Sequence, residues 1–192
     1  MRASRLRATP WKNSGGSTTE IAMEPPGASL DTFDWRISMA SIATDGPFSE
    51  FPGIDRTLAV VKGKGLLLTI GSSTAVSLER GSDPIAFDGD VPTSAHLTQG
   101  EIIDLNVMTR RRRLSHRLQQ IRQPASCALG GNHTAVVLSL NRSTTLVSEQ
   151  DVATLDHAKA AILVGTQEGS IRIEPIGSSD RYLVLLHNHQ VT

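Results

Sequence analysis

The sequence reads Thr57-Leu-Ala-Val-Val-Lys-Gly-Lys-Gly-Leu-Leu-Leu-Thr-Ile70 across the stretch that decides its fold class. Two short apolar runs, 57–62 and 66–70, flank the turn residues Gly63-Lys64-Gly65. Short runs bounded by glycine are typical of β-strands, and a three-residue loop between them predicts a β-hairpin. Both runs are far shorter than the ~20 apolar residues that a membrane-spanning helix needs.

The same pattern of short apolar runs between turn residues continues in both directions along the chain. It predicts an all-β protein, a sandwich or a barrel. The further runs are 34–40, 74–78, 84–87, 94–98, 101–108, 134–140, 144–147, 157–164, 170–174 and 181–186.

Two segments depart from this pattern. Leu114, Leu118 and Ile121 have the spacing of one helix face, which favours a helix over 110–123; a strand is the alternative. Ser148-Glu-Gln-Asp151 resembles a capping box and predicts a single helical turn before Val152 and Leu155.

The composition is that of a neutral globular protein. The chain has 192 residues, and 19 basic residues balance 19 acidic ones. A neutral chain has no field that attracts nucleic acid or an anionic membrane, and two Trp, one Tyr and four Phe are few for stacking bases. No linker divides the chain, so we expect a single compact domain over 1–192, with two β halves that divide near 110–125.

Several features favour the cytoplasm. Cys127 is the only cysteine, so no intramolecular disulfide forms. The first ten residues carry charge without the apolar segment of a secretory signal, so we expect a cytoplasmic protein.

Strand alternation suggests a polar site. In 35–39, Trp35 shares a face with the apolar residues, and Arg36 and Ser38 share the other. In 104–108, Asn106 lies on the face opposite Leu105 and Val107. If these faces line a barrel, they form a pocket in which Arg36 pairs a carboxylate; if they face solvent, they form an ordinary polar surface.

Two further stretches bear on ligand binding. Pro10-Trp-Lys-Asn-Ser-Gly-Gly16 combines a ring, a cation and an amide that suit a small polar ligand, although the residues alone favour a structural role in which Trp11 plugs the end of a sheet. The loop 46–56 carries Phe48 and Phe51 and suits a lid, and Asp55 and Arg56 form either an ion pair or ligand contacts.

Metal and nucleophile motifs are weak. His187 and His189 fall on one strand face, but no carboxylate follows them, so we expect no metal and no cofactor. No Gly-x-Ser-x-Gly elbow is present, and Cys127 has no activating neighbours. The basic run 110–113 is consistent with a solvated turn or with an acidic partner.

Five motifs in order along the chain carry a resemblance to a known family. They are Pro10-Trp-Lys-Asn-Ser-Gly-Gly16, Phe33-Asp-Trp-Arg-Ile-Ser-Met-Ala40, Asp45-Gly-Pro-Phe-Ser-Glu-Phe-Pro-Gly-Ile-Asp-Arg56, Phe87-Asp-Gly-Asp90 and Asp104-Leu-Asn-Val-Met-Thr-Arg110. Together they resemble the HutD/Ves family of bacterial proteins.

The resemblance implies a cupin-type β-barrel or sandwich, a bicupin of two cupin-like halves. It also implies a role in histidine utilisation, as a non-enzymatic binding protein for a carboxylate metabolite such as urocanate or N-formylglutamate. The residues that the resemblance and the strand faces assign to the ligand site are Lys12, Asn13, Trp35, Arg36, Ser38, Phe48, Arg56, Asn106 and Met108.

The sequence departs from the family pattern where Ser14 replaces a glycine and Thr19 replaces an arginine, and it lacks the cupin metal motif. The resemblance also favours a strand over 114–122. The alternative functions are a small metal-independent cupin enzyme, an isomerase or hydrolase, and a protein-binding module that uses the Phe48–Phe51 loop. Fold analogy predicts a homodimer. The zero net charge predicts that neither nucleic acid nor a membrane is a partner.

Overall fold

The computed structural model describes residues 7–10, 16–131, 133–148, 151–164, 169–176 and 180–189. Every regular element in these ranges is a β-strand, which confirms the all-β prediction. The same ranges hold no helix that is long and apolar enough to cross a membrane.

The chain divides into two compact units, one that ends at Leu114 and includes β1, and another that contains the described residues from Ser115 on. The strands of the first unit are β1 Arg7–Pro10, β2 Gly16–Glu24, β3 Trp35–Ile42, β4 Gly46–Pro47, β5 Ile54–Lys62, β6 Gly65–Ile70, β7 Val76–Glu79, β8 Ile85–Asp88, β9 Thr93–Leu97 and β10 Ile102–Arg110. Those that follow are β11 Leu114–Gln120, β12 Ala125–Leu129, β13 His133–Ser139, β14 Thr144–Val147, β15 Val152–Leu155, β16 Lys159–Val164, β17 Gly169–Pro175 and β18 Arg181–Asn188.

The first unit contains two antiparallel sheets. One has six strands in the order β1-β2-β3-β10-β5-β8, and the other has four in the order β4-β9-β6-β7. A core that includes Leu58, Leu66, Leu68 and Ile102, each at most 1% exposed, draws on both sheets. Burial of branched aliphatic side chains on the inner faces is the main force that holds such sheets together.

The predicted hairpin over 57–70 is wrong, although both of its strands exist. β5 pairs with β10 and β8, whereas β6 pairs with β9 and β7, so the chain passes from one sheet to the other at Gly63–Gly65. Gly63 and Gly65 have positive φ, and a Cβ on Gly63 would lie 2.6 Å from the carbonyl oxygen of Glu101. The glycines therefore permit a tight crossing rather than a two-strand turn.

The second unit also contains two antiparallel sheets, in the orders β11-β18-β13-β16 and β12-β17-β14-β15. Residues 114–120 form the strand β11, so the helix expected from their spacing is wrong and the strand alternative is confirmed. Val152–Leu155 is likewise the strand β15, not a helical turn; residues 149 and 150 lie outside the described ranges.

Candidate ligand-binding site

The first unit has a cavity of about 740 Å³, partly open to solvent, between its six-stranded sheet and two loops. The strands β2, β3, β5 and β10 contribute alternate side chains, and the segments 28–30 and 47–51 complete the wall. The lining residues are Thr18, Glu20, Met23, Ala28, Ser29, Leu30, Arg36, Ser38, Ala40, Ile42, Pro47, Phe48, Ser49, Phe51, Arg56, Asp104, Asn106 and Met108.

Strand register arranges the polar side chains in three rows across the sheet. Directly opposed residues of antiparallel strands point to the same face of the sheet, so the side chains of each row all lie on the face that borders the cavity. The arginine row is Arg36, Met108 and Arg56; the amide row is Ser38 and Asn106; the acid row is Ala40 and Asp104.

Arg56 is the cation at the end of the arginine row. Its side chain is only 5% exposed, and its Nε has no hydrogen-bond partner. One Nη donates to the carbonyl oxygen of Ser49 at 3.2 Å. Burial lowers the pKa of Arg56 to about 10, against the opposing attraction of Asp104. The guanidinium is therefore charged at neutral pH and holds a donor that the protein leaves unused.

Three aromatic rings surround this guanidinium. Its central carbon lies 5.3 Å from the ring centre of Phe48, 5.6 Å from that of Phe51 and 5.1 Å from that of Phe87. Cation–π attraction at these distances offsets part of the loss of water around the charge.

The turn after β8 fixes the loop that carries Phe51. Gly89 donates its N–H to the carbonyl oxygen of Ile54 at 2.7 Å and accepts the N–H of Phe51 at 2.8 Å. A Cβ on Gly89 would lie 2.7 Å from the same Ile54 oxygen, so only glycine fits here. This requirement gives a structural reason for the Phe87-Asp-Gly-Asp90 motif.

Arg36 differs from Arg56 because the protein already supplies its counter-ion. Its Nε lies 3.3 Å from Oε2 of Glu20 on β2. A β-bulge between Glu20 and Ala22 lets both Glu20 and Met23 face the cavity, although they are three positions apart and would point to opposite faces of a regular strand. Sequence alternation assigns the carboxylate to Arg36, whereas the structure leaves Arg56 as the cation without an ion-pair contact.

The remaining two rows end in hydrogen-bond acceptors. Asp104 is 2% exposed, and its Oδ1 accepts the N–H of Ala40 at 3.1 Å. Burial raises the pKa of Asp104 to about 7, although the Ala40 hydrogen bond and the charge of Arg56 both lower it. Asn106 is 9% exposed, and its Oδ1 is buried without a partner.

Most of the predicted site residues meet in this cavity. Trp35 does not line it, because strand alternation buries its ring on the other face of β3; Phe48 and Phe51 form the aromatic wall instead. Lys12 and Asn13 lie outside the described residues. The predicted residues that line the cavity are Arg36, Ser38, Phe48, Arg56, Asn106 and Met108.

Two parts of the wall were not predicted. Glu20 escapes sequence reasoning because the bulge shifts its face, and the segment 28–30 carries no charged or aromatic signal. Thr19, the position of a departure from the family pattern, is not among the described lining residues, whereas its neighbours Thr18 and Glu20 are.

The basic run at the end of β10 holds loops together. Arg110 donates to the carbonyl oxygens of Phe33 and Asp31, at 3.0 and 2.8 Å. Arg111 pairs with Asp55 at 2.6 Å and with Asp90 at 2.8 Å, so Asp55 pairs here and not with Arg56. These contacts fix residues that follow the two wall segments 28–30 and 47–51 along the chain.

The histidines do not assemble a metal centre in the part of the chain that the structure describes. His187 lies opposite His133 across β13 and β18, with their Nδ1 atoms 2.5 Å apart, and His189 is exposed. Within the described ranges, no three His, Cys, Asp or Glu side chains are grouped closely enough to hold an ion.

Comparison with known proteins agrees with this architecture. The family model HutD matches residues 3–180. The chain belongs to the HutD family. Protein Ves from Citrobacter koseri is 42% identical over 104 residues, 54% of this chain and 53% of that protein. A 21.2 kDa protein in the hutC 3′ region of Pseudomonas putida is 38% identical over 119 residues, 62% of each chain. The matched segments thus span about half to three fifths of these relatives.

Solved structures extend the HutD likeness over nearly the whole chain. HutD from Pseudomonas fluorescens SBW25 is 29% identical with a TM-score of 0.81, covering 96% of this chain and 95% of that one. A cupin 2 conserved barrel domain protein from Leptotrichia buccalis is 11% identical with a TM-score of 0.59, covering 98% of both chains. The second likeness concerns the fold alone, and it confirms the predicted cupin-type fold.

Proposed function

We propose that this HutD-family protein binds a small carboxylate metabolite in the cavity and acts in the cytoplasm through that binding. The observation that supports the proposal is the guanidinium of Arg56, which is 5% exposed and has an unpaired Nε at the cavity. An ionised group removed from water without a counter-ion is unfavourable by several kcal/mol. A carboxylate supplies both the counter-charge and two oxygens that match the guanidinium fork.

The size and lining of the cavity support a small organic acid. About 740 Å³ lies within the range of roughly 300–1,000 Å³ for small-molecule sites. Phe48 and Phe51 provide apolar surface, while Ser38 and Asn106 provide neutral hydrogen-bonding groups. This mixture suits a ligand with a charged end and a less polar body.

A role in histidine utilisation is the pathway context of the proposal. It rests on the HutD family match and on the Pseudomonas putida relative, a protein in the hutC 3′ region. Urocanate and N-formylglutamate are the candidate ligands, because both carry a carboxylate. Bound ligand would then report the level of an intermediate without consuming it.

Thermal-shift titration of metal-stripped protein tests this function. The acids are histidine, urocanate, formiminoglutamate, N-formylglutamate and glutamate. At 100 times its dissociation constant, a bound acid should stabilise the fold by about 2.7 kcal/mol, or roughly 5–10 °C in Tm. The proposal is supported if one acid shifts the Tm selectively and Arg56→Met abolishes that shift. The control Arg112→Met changes an exposed arginine and should keep the shift. No shift with any acid would contradict the proposal.

Asp104 favours a second candidate function, a metal-independent enzyme. A carboxyl group whose pKa is near 7 in a cavity is suited to general acid–base catalysis. Incubation of each acid with the protein, followed by NMR, separates the two functions. Consumption by the parent and not by Asp104→Asn would favour the enzyme, whereas unchanged acid favours the binding protein.

A further inference from the structure

The cavity has two chemically different ends. The arginine row supplies hydrogen-bond donors, with Arg56 Nε unpaired. The acid and amide rows lie on the same face of β10 and supply acceptors, with Asn106 Oδ1 unpaired. Asp104 accepts one backbone N–H from Ala40, and the two oxygens of a carboxylate offer about four acceptor sites. Asp104 therefore retains acceptor capacity inside the cavity.

The charged groups around Asp104 come from three other strands. β2 contributes Glu20, β3 contributes Arg36 and β5 contributes Arg56; the loop segments of the lining contribute uncharged side chains. Glu20 neutralises Arg36 at 3.3 Å, whereas Arg56 and Asp104 are not in ion-pair contact with each other. The positive end and the negative end are thus separate, and neither neutralises the other directly.

The spacing of the rows leaves room for a ligand between these ends. Met108 of the arginine row and Asp104 of the acid row are four residues apart on β10. At ~3.3 Å per residue, this separates the two rows by roughly 13 Å along the strand. The amide row lies between them, at Asn106.

We propose that the ligand is a carboxylate that also carries an N–H donor, with its carboxylate on Arg56 and its N–H on Asp104 or Asn106. This inference rests on the proposed function and adds a second point of recognition to it. An acid without a donor leaves the buried acceptors unpaired, and sites built around a hydrogen bond reject such analogues strongly. The N–H acid should therefore bind at least tenfold more tightly than an analogue of the same shape that lacks the N–H.

Matched pairs of acids test this inference by isothermal titration calorimetry at pH 8. Urocanate is compared with 3-(1,3-oxazol-4-yl)acrylate, and N-acetylglutamate with 2-acetoxypentanedioate; in each pair the second acid has oxygen where the first has N–H. Tighter binding of an N–H acid by tenfold or more supports the inference. Equal binding within a pair would overturn it and leave the proposed function standing, whereas absence of binding by all four acids would overturn both.

Asp104→Asn identifies the acceptor. The substitution removes the negative charge and keeps an oxygen for the Ala40 N–H. The N–H acid should lose tenfold or more in affinity, while its oxygen analogue keeps or gains affinity because a repelling charge is gone. The control Asp156→Asn, at an exposed ion pair with Lys159, should change neither. An unchanged preference for the N–H acid in Asp104→Asn would overturn the assignment to Asp104.

Discussion

Replacement of Asp104 by asparagine should stabilise the protein, and by an amount that grows with pH. The carboxyl group is 2% exposed, and burial raises its pKa from 3.8 to about 7. The amide side chain of the Asp104→Asn variant would keep the oxygen that accepts the Ala40 N–H and would carry no charge to bury. The gain should therefore begin above about pH 4, where the carboxyl group of the unfolded chain ionises, and level off above about pH 7, where Asp104 is ionised in the folded protein as well.

The sign and size of this stability difference follow from the linkage between proton binding and folding. Because the folded pKa lies above the unfolded one, the native state holds the proton more tightly, and stability is lost as pH rises from about 4 to about 7. A shift of about three pKa units corresponds to roughly 4 kcal/mol, of which about 3 kcal/mol falls between pH 5 and pH 8. For a chain of this length, that difference amounts to roughly 6–12 °C in Tm.

Urea denaturation of the parent and Asp104→Asn at pH 5, 6.5 and 8 measures the effect. The difference in free energy of unfolding between the two proteins should rise with pH. The contributions of the other titrating groups are the same in both proteins and cancel in the subtraction. Asp156→Asn is the matched control and should show no such rise, since this exposed carboxylate is paired with Lys159, which lowers the pKa of Asp156. A difference that stays constant or falls with pH would refute the reasoning.

Three further predictions concern binding and packing. Arg56→Met should weaken carboxylate binding tenfold or more by calorimetry, and Arg36→Met should weaken it less, because Glu20 already neutralises Arg36; equal losses would contradict this. Gly89→Ala should lower the free energy of unfolding by about 1–3 kcal/mol in a urea titration, because the new Cβ would lie 2.7 Å from the carbonyl oxygen of Ile54. The control Gly46→Ala should change the free energy of unfolding little, because nothing lies within 4 Å of a Cβ at that position. N-acetylglutamate should bind about tenfold more weakly at pH 6 than at pH 8, because protonation of a carboxyl group with a pKa of about 7 removes the charged acceptor; calorimetry that shows no weakening would count against an ionised Asp104 as the acceptor.

Local sequence patterns predict the strands well and their pairing poorly. Leu114 and Leu118 illustrate an ambiguity of period, because residues four apart share one face of a helix and also one face of a strand. The stretch 57–70 illustrates the limit for pairing: its strands are correct, but the choice between a hairpin and a crossing depends on partners distant in sequence. The family resemblance, not periodicity, favoured the correct structure over 114–120.

The candidate site is likewise predicted in part: the sequence indicates which side chains face the cavity but not how they pair. Alternation alone places Arg36, Ser38 and Asn106 on one lined face, because a covered strand exposes every second side chain to its cavity. It does not reveal that Arg56 lacks an ion-pair contact, because the bulge that directs Glu20 to Arg36 leaves no mark in the sequence. The raised pKa of Asp104 is equally hidden, since it depends on burial by residues distant along the chain.

A crystal structure with the most tightly bound acid tests the central claim most directly. The account predicts a carboxylate oxygen about 2.9 Å from Nε of Arg56, inside the cavity that Phe48 and Phe51 close. An acid bound elsewhere on the protein, with Arg56 Nε still unpaired, would contradict it.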